Sequence, residues 1–340
     1  MKQVKSAFCL ENADLIFLLK HRFYRGDFML KFADAHCDTI TKLRPQQLAL
    51  GCDTTLAHLD LPRLQEGMQL QFMAFFLQQA APTEAWPLLR KHWRSLQQAV
   101  ALNGGVEILT DLRQAGCFQQ TELPQLLLAV EGLDLLAENG EAGAEELFQL
   151  GFRSLGLFWN NDNWLGCGAA AQGVADTGLT LAGQDFVRYA EERGFLLDWA
   201  HASAGSFWHG AAICHKPLFV SHACCAELCL HRRNLTDEQL RALGESGGWF
   251  GVALAPAFLR LDGRAELADV VRHIQHAVKL AGEEAVGLGS DFDGLDELPL
   301  GLEGVQSWPC LAEALVAAGL PEALVAKIMG ENLLRFLREY

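Results

Sequence analysis

The chain has 340 residues, half of them hydrophobic, and a formal net charge of −15. Its length allows one large α/β barrel as readily as two smaller domains, and its acidity excludes nucleic acid as a partner, since phosphate binding rests on basic patches. The ten cysteines are scattered without a CxxC pair, which argues against a disulfide framework and for free thiols in a reducing cytoplasm.

In chain order, the first apolar run is Leu15-Ile16-Phe17-Leu18-Leu19. It is too short for a membrane span, and Glu11 and Asp14 before it are the wrong flank for a signal peptide. From residue 32 onward, short apolar runs alternate with longer amphipathic segments, the pattern of repeated β/α units. Strands are predicted at 32–36, 69–76, 126–131, 153–158, 195–200, 217–221, 248–254 and 285–290. Continuous runs such as Leu126-Leu127-Leu128-Ala129-Val130 suit parallel strands buried on both faces. A helix from Leu179 to Arg193 is stopped by Gly194, Thr236-Asp237-Glu238-Gln239 forms a capping box, and Pro321 opens a closing helix that runs through Leu333 and Leu334. Eight strands with intervening helices predict an α/β fold of the (β/α)8 TIM-barrel type, with a doubly wound sheet as the fallback.

Metal-type residues fall at the ends of these strands. His36 and Asp38 follow the first, in Asp34-Ala35-His36-Cys37-Asp38. Side chains at i and i+2 of a strand point the same way, so the two can share a cation, with Asp34 one step deeper as a supporting partner. Glu131 closes the third strand, where a carboxylate is costly to bury unless paired or metal-bound. His201 ends the fifth strand and His222 the sixth, one β/α repeat apart, and Asp291 ends the eighth. Cys224, Cys225 and Cys229 lie near His222 but read as buried thiols at the start of a helix rather than as ligands. Each of these residues alone has an ordinary structural explanation. Together they sit where barrel enzymes gather catalytic groups, and the donor set suits two divalent metals, zinc best, with Mn, Co or Fe also compatible.

From about Phe32 to Leu337 the chain resembles the membrane dipeptidase family, peptidase family M19. The resemblance is carried by Asp34-Ala35-His36-Cys37-Asp38, Glu131-Gly132, Leu197-Asp198-Trp199-Ala200-His201, Ser221-His222, Arg232-Arg233-Asn234 and Ser290-Asp291-Phe292-Asp293-Gly294. It implies a metal-dependent hydrolase of barrel type with two Zn2+ per chain. His36 and Asp38 would hold one ion, His201 and His222 the other, and Glu131 would bridge them. A hydroxide shared by the metals would attack the scissile bond of a free dipeptide, L–L or L–D. Asp291 would act as general base and then acid, and Arg233 would bind the substrate carboxylate. Residues 1–28 have no counterpart in the family. They are expected to be an extension or a mis-called start, with 29–340 forming a single catalytic barrel. A homodimer is the family's habit, and the dipeptide is the expected small-molecule partner, with no membrane involved.

Two positions depart from the mammalian pattern. Trp159 stands where a histidine assigned to the oxyanion is expected, which shifts that task to the metals or to the neighbouring Asn160. Phe258 replaces a substrate-contacting tyrosine. Another binuclear amidohydrolase, acting on an N-acyl amino acid, cyclic amide or lactone, is the competing reading. Its usual HxH opening is absent, because the first strand ends in HxD. A catalytically idle binding protein is disfavoured because every expected ligand is present.

Overall fold

Residues 30–53, 55–77, 82–117, 123–171 and 175–340 are described by the computed structural model. The N-terminal segment 1–28 and Met29 lie outside them. The strands are β1 (Phe32–Asp34), β2 (Met68–Phe76), β3 (Glu107–Ile108), β4 (Gln125–Glu131), β5 (Phe152–Gly156), β6 (Leu196–Asp198), β7 (Phe219–Ala223), β8 (Trp249–Val252) and β9 (Val286–Leu288). All their pairings are parallel. The circuit runs β1-β2-β4-β5-β6-β7-β8-β9 and back to β1, an eight-stranded closed barrel with flanking helices. β3 was not anticipated. It is two residues long and pairs only with Gln125 and Leu126, beside the point where β5 begins.

Closure follows from the way the strands are buried. Every residue of β4 is buried, as a parallel strand covered on both faces requires. Leu126, Leu128 and Val130 pack outward beneath the helices, whereas Leu127 and Ala129 belong to the second cluster inside the barrel. Side chains alternate along a strand, so Glu131 continues the inward set and enters the barrel mouth. At the other end Phe219 stacks on Trp249 (centroids 5.3 Å apart), Phe72 (5.7 Å) and Phe336 (5.7 Å), so the C-terminal helix Asn332–Glu339 plugs the floor.

Several local signals hold. Thr236 Oγ1 accepts from the Gln239 amide (3.3 Å) and Gln239 Oε1 accepts from the Thr236 amide (2.9 Å), the reciprocal capping box. Helix Leu181–Arg193 ends at Gly194 in the left-handed region, φ 92°. Two expectations need correction. The closing helix is broken: Pro321 caps Glu322–Ala326, a wide π turn covers Lys327–Glu331, and the last helix starts at Asn332. There the chain presses against β1, and a Cβ on Gly330 would lie 2.5 Å from the Lys31 carbonyl oxygen. The segment after His222 is a looped turn, not a helix. The Asn234 side chain accepts from the Cys224 amide (3.1 Å) and donates to the carbonyls of Cys229 (2.9 Å) and Phe258 (2.8 Å), which removes the need for helical bonds. Among the described residues no helix is long and apolar enough to cross a membrane.

Candidate metal centre

Strand pairing assembles the site at the C-terminal mouth of the barrel. Beyond the regular ends of β1 and β9 the chains stay paired: Asp291 N donates to the His36 carbonyl (3.2 Å) and Asp38 N to that of Phe292 (2.8 Å). His36, Asp38 and Asp291 are thereby neighbours. Glu131 arrives from β4, His222 lies within β7, and His201 follows β6 with φ 65°. The non-glycine residues with positive φ among the described residues are Asn160, His201, Asp291 and Asp293. Asn160, His201 and Asp291 face the site and Asp293 is two residues on, the clustering of backbone strain often seen where function sets geometry.

Glu131 spans two groups of donors. Its Oε2 is 3.8 Å from His36 Nε2, which is itself 3.4 Å from Asp38 Oδ2. Its Oε1 is 2.8 Å from His201 Nε2 and 3.6 Å from His222 Nε2. Asp291 Oδ1 stands 3.8 Å from His36 Nε2 and forms a third possible group with His36 and His222. Gly294 makes room for these carboxylates, since a Cβ there would lie 2.4 Å from both Asp291 Oδ1 and Asp38 Oδ2.

The polar atoms fit cations. Tetrahedral zinc, with bonds of about 2.0–2.1 Å, holds its donors roughly 3.3 Å apart, and the spacings above straddle that value. His36 Nε2 and Asp38 Oδ1 are buried without a hydrogen-bond partner. His201 Nδ1 lies 3.1 Å from Asn160 Oδ1, and an amide oxygen only accepts, so the ring proton sits on Nδ1. Asp198 accepts from the Ser221 amide (2.9 Å) and anchors that residue, whose Oγ is 2.7 Å from His222 Nδ1 and can accept from it. Both Nε2 atoms are then bare, yet they lie 2.9 Å apart and beside Glu131 Oε1. Three electron-rich atoms converge there, an arrangement that calls for a positive charge between them.

The electrostatics agree. Burial holds His201 and His222 well below the usual imidazole range, so both rings are neutral. Burial pushes Glu131 well up and lifts Asp291 to about 7. Burial alone would also lower His36, but Glu131, Asp38 and Asp291 outweigh it and raise the ring to about 10. His36 thus carries the proton that a divalent ion would replace.

Arg233 lies beside this cluster, only 4 % exposed. One guanidinium nitrogen donates to the His222 carbonyl (3.2 Å), while its Nε is buried without a partner. Burial lowers it to about 10, which leaves it charged at neutral pH. Phe258 is on the rim, its ring 5.5 Å from the guanidinium and 4.6 Å from the His231 ring. Trp159 is half-buried between Phe76 (4.9 Å) and His201 (6.3 Å).

Three roles differ from the sequence reading or were missed by it. Asp34 does not touch the His36 ring; its carboxylate is taken up by Ser290 and Gln71. Ser221, adjacent to His222, and Asp198, three residues before His201, were legible as motif members, but not as the partner of His222 Nδ1 and the acceptor of the Ser221 amide. The thiols of Cys224, Cys225 and Cys229 each face a backbone carbonyl, and none joins a possible metal group among the described residues.

A sequence profile of the membrane dipeptidase family (peptidase family M19) matches residues 28–340. Among solved structures, the M19 metallopeptidase dipeptidase AC superposes with a TM-score of 0.82 at 29% identity, covering 91% of this chain and 98% of its own. A metallopeptidase from Rhodobacter sphaeroides, solved with a phosphinate mimic of the dipeptide L-Ala-D-Ala, gives 0.81 at 27% identity over 91% and 98%. An uncharacterized protein in the pqqA 5′ region of Klebsiella pneumoniae is 39% identical over 216 residues, 61% of this chain and 76% of that protein. The chain belongs to the M19 membrane dipeptidase family and is a metallo-dipeptidase on a TIM barrel.

Proposed function

We propose that this metallo-dipeptidase hydrolyses free dipeptides with two zinc ions, one held by His36 and Asp38 and the other by His201 and His222. Glu131 is shared between them. The observation that carries this reading is the division of the Glu131 carboxylate, with Oε2 turned to His36 and Oε1 to the two other histidines. When bound, the ions polarise the scissile carbonyl and make water reactive at neutral pH.

The remaining work falls to the chain itself. Asp291, half-buried at the barrel mouth, has a carboxyl near 7 that suits taking a proton as water adds and returning it to the leaving amine. Arg233 offers its free Nε and its positive charge to the substrate carboxylate. Trp159 and Phe258 supply apolar rim for the substrate side chains. Recognition of the two termini leaves the configuration of the second residue weakly policed. The Rhodobacter relative with its L-Ala-D-Ala mimic supports activity on L–D as well as L–L dipeptides.

We also place the enzyme in the cytoplasm as a homodimer. The free thiols of its described cysteines support the first point and the family's habit supports the second.

The test is hydrolysis of L–L and L–D dipeptides by zinc-loaded protein, with N-acetyl dipeptides and a tripeptide as controls. Cleavage confined to free dipeptides and abolished by a chelator is expected. A protein that holds two zinc ions per chain and cleaves no free dipeptide would rule the reading out.

A further inference from the structure

We propose that Asn160 is a positioning residue for His201: its side-chain oxygen accepts from Nδ1–H and fixes the tautomer whose bare Nε2 faces Glu131 and His222. The inference rests on the two-zinc reading above and assigns Asn160 a task other than contact with the substrate oxyanion.

The two zinc-side histidines solve the same problem differently. His222 finds its partner next door in sequence, where Ser221 Oγ is 2.7 Å from Nδ1. His201 has no such neighbour, because φ 65° turns its ring away from the strand ladder. Its Nδ1 instead meets Asn160 Oδ1 at 3.1 Å, across from the end of β5. The ring is buried, and Asn160 Oδ1 is the acceptor that reaches its Nδ1. Without it nothing disfavours the other tautomer, whose Nε2–H would point at the ion position.

The backbone holds Asn160 at this station. Its φ of 53° lies in the left-handed region, which asparagine tolerates better than most residues. The Asn160 carbonyl accepts from the Ala170 amide (2.6 Å), and the Ala169 amide donates to the His201 carbonyl (2.8 Å). One loop therefore stitches both residues together. Gly168 makes this close approach possible, since a Cβ there would lie 2.5 Å from the Asn160 carbonyl oxygen and 2.4 Å from that of Asn161.

Two variants separate an acceptor from a donor. Asn160→Gly removes the side chain and keeps the left-handed backbone without steric strain. Asn160→Asp keeps an acceptor and tolerates the same backbone, but it loses the NH2 that an oxyanion contact would need. Zinc affinity is read by competition with a chromophoric chelator, after the wild type has been shown to bind two ions. Asn160→Gly should weaken one of the two ions by about 10- to 100-fold and leave the other unchanged. Asn160→Asp should restore affinity to near the wild-type value. Excess zinc should recover turnover of the Gly variant, which loss of a substrate contact would not allow.

Circular dichroism of the metal-free proteins checks folding, and the Asp variant decides the question if the Gly variant does not fold. Wild-type affinity for both ions in Asn160→Gly overturns the proposal, as does an Asp variant weakened as much as the Gly variant. A wild type that binds fewer than two ions overturns instead the two-zinc reading beneath it.

Discussion

Asp34, at the end of β1, accepts hydrogen bonds from both the backbone amide (2.8 Å) and the hydroxyl (2.5 Å) of Ser290, just beyond β9. The two residues join the first and last barrel strands directly beneath the site. Burial lifts the Asp34 carboxyl to about 6 in spite of these bonds. Asp34→Ala would strand the backbone amides of Ser290 and His36 in the interior, while the Ser290 hydroxyl and the Gln71 NH2 keep the carbonyls of His36 (3.0 Å) and Phe72 (3.2 Å). At about 1–3 kcal/mol for each orphaned group, the variant should lose at least about 2 kcal/mol. Urea unfolding of the metal-free protein measures this, and an unchanged midpoint would remove the seam from the account.

Glu131→Gln keeps the shape of the bridging residue and removes its charge. The variant should retain at most one zinc per chain after dialysis, because both donor groups share that carboxylate. Metal analysis giving two ions with wild-type affinity would show that bridging does not depend on the charge.

Asp291→Asn should keep both ions and lose about 10²- to 10⁴-fold in kcat, the size expected for a proton-transfer group. Its oxygen also lies within reach of His36 and His222, so metal content discriminates between roles. Loss of an ion together with turnover would make Asp291 a ligand.

Arg233→Met should raise KM for a free dipeptide roughly 10- to 100-fold, the worth of a hydrogen bond to a charged group. The same dipeptide with an amidated C-terminus should be nearly indifferent to the substitution. Equal losses on both substrates would place Arg233 in support of the His222 carbonyl rather than in carboxylate recognition.

His273, away from the metal centre, is 1 % exposed. It accepts from the Cys225 amide at Nδ1 (3.1 Å) and reaches the Leu259 carbonyl from Nε2 (3.1 Å). Burial pulls it down to about 4, below its ordinary 6.5. The unfolded chain therefore binds the proton first. The stability contributed by the neutral ring is present above pH 6.5 and is lost as pH falls from 6.5 toward 4, roughly 3 kcal/mol in all. In EDTA, the stability difference between wild type and His273→Gln should shrink by about that amount from pH 7 to pH 4. Parallel pH profiles would contradict this.

Much of the frame was legible because burial leaves a one-dimensional trace. The apolar run that becomes β4 is continuous because the strand is covered on both faces, and Glu131 stands out by ending it. His36, Asp38, His201, His222 and Asp291 announced themselves by falling at strand ends, and each lies at the barrel mouth. The looped turn after His222 was not legible, because its hydrogen bonds come from the Asn234 side chain and the Phe258 backbone. Nor was the break at Lys327–Glu331, which arises where Gly330 meets β1.

By itself the sequence determined the barrel, the order of its strands and the donor types at their ends, since hydrophobic period and local capping are properties of neighbours along the chain. Only the tertiary structure decided which Glu131 oxygen faces which histidine, that Asp34 serves Ser290 rather than the His36 ring, and that Asn160 meets His201. Those pairings depend on strand stagger and loop closure around the barrel, which bring side chains from separate β/α repeats within 3 or 4 Å of each other.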